Sequence, residues 1–111
     1  MQKVAEFLIE AKKVIEDPTR WTTGWFAKTV AGVRCSALDD EATCFCSMGA
    51  LEYYNGRELL YDEKGTVAHL ARDVLESVME ERLVSFNDRH SHTEVMQKWA
   101  EAIKFSQKEG S

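Results

Sequence analysis

Cys46, Gly49 and Ala50 lie at i, i+3 and i+4 within Phe45-Cys46-Ser47-Met48-Gly49-Ala50-Leu51. On a helix these small residues share one face and leave it nearly flat, so a second stretch of backbone can approach closely. The chain must bring another segment onto that face, and the spacing assigns the role to a helix over 67–82. Downstream, Ser85-Phe86-Asn87-Asp88 combines an aromatic ring with short polar side chains and reads as a capped corner ahead of the last helix. These two stretches constrain how the chain closes on itself more than any other feature.

Around them the apolar periodicity is mostly helical. Val4, Phe7, Leu8, Ala11, Val14 and Ile15 predict an amphipathic helix over 2–16. Asp17-Pro18 ends it, because the residue before a proline is pushed out of the helical region. Over 19–38 the period dissolves, with Trp21, Trp25, Phe26 and Val30 irregularly spaced. Two readings fit: a hairpin pairing 25–29 with 33–37 around Ala31-Gly32, or a short helix over 23–31. Asp39-Asp40-Glu41 supplies an N-cap and acidic first turn for a helix over 40–54, ended at Asn55-Gly56. Its inner face is expected at Ala42, Phe45, Cys46, Gly49, Ala50 and Tyr53.

Gly65-Thr66 opens the next helix, whose stripe is Val67, Leu70, Ala71, Val74, Leu75, Val78 and Met79. Arg72, Asp73, Glu76 and Glu80 fall outside it, as does His69, which reads as a surface ion-pair partner of Asp73. Residues 83–92 read as a loop. Ser91 and Glu94 form a capping box, and Val95, Met96, Trp99, Ala102 and Ile103 give the last helix its buried face. Residues 106–111 are expected to fray. The fold class predicted is mainly α: a compact bundle of about four helices with one irregular or short β-hairpin segment at 19–38. A single helical domain over 1–108 and a disordered tail at 109–111 complete that expectation.

Composition narrows the function classes. A net charge of -5, with cations scattered among acids, argues against nucleic acid as the main partner. No apolar run reaches the length of a membrane span, and the N-terminus lacks the apolar core of a signal peptide. A cytoplasmic location is expected, with the three cysteines reduced. Cys35, Cys44, Cys46, His69, His90 and His92 are the soft-metal donors, yet within a helix the Cys44-x-Cys46 thiols would diverge by about 200°. Cys46 with His90 or His92 is the candidate for thiol catalysis or metal binding. Against it, Cys46 reads as a small packing residue, and no Gly-rich oxyanion turn accompanies it. No cofactor motif is present.

Asn87-Asp88-Arg89-His90-Ser91-His92 is the densest polar cluster, a site or simply a helix cap. Trp21, Trp25, Phe26, Tyr53, Tyr54, Tyr61 and Phe86 are an aromatic surplus outside the main stripes. Large aromatics left exposed together mark recognition surfaces. The expected binding residues are therefore Trp21, Trp25, Phe26, Asn87, Asp88, Arg89 and His90.

Trp25, Gly32, Ala42, then Phe45-Cys46-x-x-Gly49-Ala50-Leu51, then Phe86-Asn87-Asp88 followed by Thr93-Glu94-Val95 resemble the pattern of an uncharacterised family of small bacterial and bacteriophage proteins. Its members carry an aromatic-Cys-x-x-Gly-Ala-Leu helix and a Trp-Asn-Asp corner; here Phe86 replaces the tryptophan. The resemblance covers roughly residues 20–105. It implies a compact, often phage- or prophage-borne domain and transfers no catalytic residue. The expected function is non-enzymatic binding of a macromolecular partner, a protein rather than a nucleic acid or membrane.

Overall fold

The computed structural model describes residues 2–59 and 64–109, without the side chains of Gln2 and Glu109. Helix α1 spans Gln2–Ile15 and ends, as expected, where the Asp17 carboxylate caps a 3-10 turn at Pro18–Arg20. The hairpin is then present in shortened form. Strands β1 (Ala27–Thr29) and β2 (Arg34–Cys35) pair antiparallel, with Ala27 opposite Cys35. Gly32, at φ 81°, makes the turn that lets its N–H reach the Thr29 carbonyl at 2.9 Å. The alternative helix over 23–31 is not formed.

The largest departure from expectation lies at 40–46. Instead of opening a helix, Ala42–Phe45 forms strand β3 on the other side of β1, giving the sheet order β2-β1-β3. Asp39 does cap, but it caps a turn: its carboxylate accepts the Glu41 N–H at 2.8 Å and its carbonyl accepts the Ala42 N–H at 3.1 Å. Both acceptors are used locally, so the acidic run bends the chain between strands. Helix α2 starts later, at Ser47–Asn55, with Cys46 as its N-cap and left-handed Gly56 at its end. Tyr53, expected inside, is 48% exposed.

Helix α3 (Val67–Met79) is capped by Thr66, and an unexpected helix, α4 (Leu83–Arg89), occupies the stretch read as loop. The bundle thus holds five α-helices among the described residues rather than about four. The buried face of α3 is rotated from its predicted stripe: Leu70 is exposed while Arg72 is buried, and His69 is only 2% exposed. His69 is not a surface partner of Asp73; its Nδ1 lies against the Thr66 hydroxyl. The Ser91–Glu94 capping box forms in both directions at 3.0 and 3.2 Å and starts α5 (His92–Glu109). That helix runs through the region expected to fray, and Ser106 is fully buried. Beyond Glu109 the expected tail lies outside the described residues, as does Tyr61.

Helix α1 packs against α5, α2 and α3, and the small sheet covers one side of this bundle. Trp99, Phe45, Leu8, Ile15, Leu51, Leu75, Leu83 and Val95 fill the centre without exposure. Among the described residues no helix is long and apolar enough to cross a membrane.

Candidate functional site

The flat face of α2 receives a backbone, as its composition requires, but not that of α3. A Cβ on Gly49 would stand 1.9 Å from the Phe26 carbonyl oxygen. The same oxygen accepts the Cys46 N–H at 3.0 Å. The chain entering β1 is therefore laid directly on the start of α2. At the neighbouring edge, Trp21 bridges to Phe45 and the Thr22 N–H donates to the Phe45 carbonyl at 2.9 Å.

Asn87 fixes this segment from below. It is completely buried, and its Oδ1 accepts from Trp21 Nε1 at 2.8 Å and from the Ser47 N–H and hydroxyl at 2.9 Å each. Its Nδ2 donates to the Thr22 carbonyl at 3.0 Å. Ser47 in turn accepts Trp99 Nε1 at 3.0 Å. One amide thus ties the 21–22 segment to α2, and through Ser47 to α5, with each buried polar atom partnered. Next to it, the Asp88 carboxylate accepts the Gly24 N–H at 3.0 Å.

Above these anchors Trp25 and Phe26 stand 42% and 37% exposed, their rings edge to face at 5.8 Å. Two hollows flank them. The smaller, about 220 Å³, is lined by Gly24, Trp25, Phe26, Cys46 and Val84. The larger, about 430 Å³, is lined by Trp25, Phe26, Ser36, Ala37, Glu52, Glu58 and Leu59. Of the predicted site residues, the fold brings Trp21, Trp25, Phe26, Asn87 and Asp88 together. Arg89 and His90 are engaged elsewhere: Arg89 pairs with Glu81, while His90 stacks on Phe86 at 3.8 Å and bonds its carbonyl. Ser47, Glu52 and Glu58 were not anticipated. The one available signal was Glu52 itself, the single charged residue of α2, set between Leu51 and Tyr53.

The cysteine and histidine candidates do not converge. Cys46 is the N-cap of α2, not an interior helical residue, and its sulfur accepts the Gly49 N–H at 3.3 Å. Burial pushes its thiol up to about 12, against the lowering effect of the backbone N–H groups, so no thiolate nucleophile forms near neutrality. Cys44 lies in strand β3, half-buried, with its thiol against the Lys28 carbonyl at 3.8 Å. His92 Nε2 meets the Ile15 carbonyl at 2.7 Å. Among the described residues no three metal-ligating side chains cluster.

The fold and site define a class: a small, mainly α protein that presents an exposed aromatic pair on a loop pinned by a buried amide. The chain belongs to the family of unknown function DUF6197, matching it over residues 1–105. No curated protein and no solved structure matches it.

Proposed function

We propose that this protein is a non-enzymatic, cytoplasmic binding module that engages a protein partner through Trp25 and Phe26. The observation that carries the reading is the contrast between anchor and surface. The 21–26 segment is held by the buried Asn87 network and by Asp88, yet it leaves Trp25 and Phe26 partly exposed between two hollows. Exposed aromatics on rigid backbone lose little entropy on binding and are the usual anchors of an interface. Trp21 and the buried Asn87 support the surface from within, and the exposed Asp88 holds Gly24 beside it. The resemblance to phage- and prophage-borne proteins favours a partner in the bacterial host.

Capture from a host lysate tests this, provided the retained protein is identified, purified and titrated against the full chain. Replacing both Trp25 and Phe26 by Ala should weaken that titration at least about 30-fold, the loss expected of a hot spot, while the fold persists. Equal affinity of the double variant would sink the reading.

A further inference from the structure

We infer that the cleft between the Trp25–Phe26 pair and Glu52 seats a basic side chain, lysine or arginine, of a partner protein; this deepens the partner-binding reading and rests on it. The cleft's chemistry is asymmetric. Two aromatic rings bound it, and two carboxylates, Glu52 and Glu58, line it as well, with Leu59 and Ala37 completing an apolar floor. At about 430 Å³ it falls in the size range of sites that enclose a ligand group.

Glu52 is the unusual member. Its residue is 8% exposed, and the hydrogen bond its side chain makes among the described residues is a single one, from the Leu59 N–H to Oε2 at 3.0 Å. Burial holds its carboxyl above the usual carboxylate range, the Leu59 N–H opposes this, and the neighbouring Glu58 charge adds to it. A carboxylate kept in a cleft with little hydration and a like charge beside it is stabilised by a cation. The aromatic pair supplies the rest, because a ring face attracts an ammonium or guanidinium within about 6 Å.

The chain already uses this chemistry on itself. Arg34 places its guanidinium 5.2 Å over the Trp25 ring, yet it is not among the described residues that line the cleft. Among the described residues Glu52 and Glu58 form no ion pair, which leaves them for a cation from outside. The donor set suits an organic cation better than a metal, since hard metal ions take six or more oxygens. The net charge of -5 favours approach of a basic partner over an acidic one.

The test is an amide and indole NMR titration of the full chain with N-acetyl-lysine methylamide, N-acetyl-arginine methylamide and the uncharged N-acetyl-norleucine methylamide. At least one cationic probe should give saturable shifts at the Trp25 indole N–H and the Leu59 amide, about tenfold tighter than norleucine. Glu52→Gln keeps an acceptor for Leu59 and should weaken the cationic probe about tenfold; Glu58→Gln, at an exposed position, gives a second readout that does not depend on the fold of the buried site. Binding of norleucine as tight as of the cations, indifference to both Gln variants, or no saturation with any probe would overturn the cation seat. The failure modes separate. A captured partner that needs Trp25 but neither carboxylate leaves the partner-binding reading standing and removes the cation seat. Saturable cationic binding with no interacting protein overturns the protein source in favour of a free amine.

Discussion

Gly49→Ala is the smallest change that strikes the junction on which the site is built. The added Cβ would lie 1.9 Å from the Phe26 carbonyl oxygen and 2.9 Å from its carbon, whereas ordinary contact begins near 3.4 Å. The obstacle is backbone, so no rotamer change relieves it, and the entry to β1 must retreat by about 1.5 Å, the difference between those distances. Retreat breaks the Cys46 N–H bond to that carbonyl, 3.0 Å long, and strands a buried donor at about 1–3 kcal/mol. Overpacking adds about 1–3 kcal/mol. Alanine's better helix propensity returns about 1 kcal/mol. The net is a destabilisation of about 3 kcal/mol, or roughly 12 °C in melting midpoint for a domain of this size. Far-UV circular dichroism melts and a urea titration measure it directly. Repeating the substitution in a Phe26→Ala background should give the same loss, because truncating the side chain leaves the offending carbonyl in place. A Gly49→Ala midpoint equal to or above that of the parent would refute the close-approach argument.

Asn87→Ala removes an acceptor for three donors and should cost about 3 kcal/mol, read as a fall in urea midpoint together with altered tryptophan fluorescence from Trp21 and Trp99. Cys46 should resist iodoacetamide at pH 8 in the native protein and react only after unfolding. Its raised thiol also gives a sign: stability present below the unfolded thiol's pKa is lost as pH climbs from about 9 toward about 12, and Cys46→Ser, which keeps a capping acceptor, should flatten that limb. Glu52, likewise raised by burial and by Glu58, holds its proton natively where the unfolded chain has lost it. Stability should therefore decline as pH rises from the ordinary carboxylate range through the raised native value, a slope that Glu52→Gln should abolish.

Where periodicity and caps agreed, the fold was legible: α1 with its Asp17-Pro18 stop, the Ser91–Glu94 box and the Gly56 terminator stand as read. Two of the failures, at 40–46 and at 83–89, share one cause. Asp39-Asp40-Glu41 and Asn87-Asp88 contain good capping residues, and local chemistry does not say which amide a carboxylate or carboxamide will cap. Asp39 capped a turn, so β3 replaced a helical turn. Asn87 reached 40 residues back to Ser47 and 65 to Thr22, allowing 83–89 to wind into α4. The flat face at Gly49 was readable, but its occupant was not, since composition records that a backbone must approach and not which one. Of the site, the exposed aromatics were visible as a surplus; the Glu52 wall depends on a contact with the Leu59 N–H seven residues on, which the Asn55-Gly56 stop does not specify.

The location of the buried polar network has a functional logic under the binding reading. A core built for stability alone would place an apolar residue at position 87, because a satisfied polar network in low dielectric contributes less than packing of equal volume and fails badly when one member is lost. What Asn87 adds is geometry. Its four good hydrogen bonds specify one register of the 21–22 segment against α2, and Asp88 extends that control to Gly24. The backbone of Phe26 is fixed in turn by its carbonyl on Cys46 and by the missing side chain of Gly49. Apart from the Trp21 indole, these constraints fall on the main chain at Thr22, Gly24 and Phe26, and the Trp25 and Phe26 rings remain at the surface. Preorganisation of this kind removes the ordering cost that an exposed loop would otherwise bring to association. Under the binding reading the polar core and the exposed aromatic pair are two halves of one arrangement: the first is worth its risk to stability because it would hold the second ready for a partner.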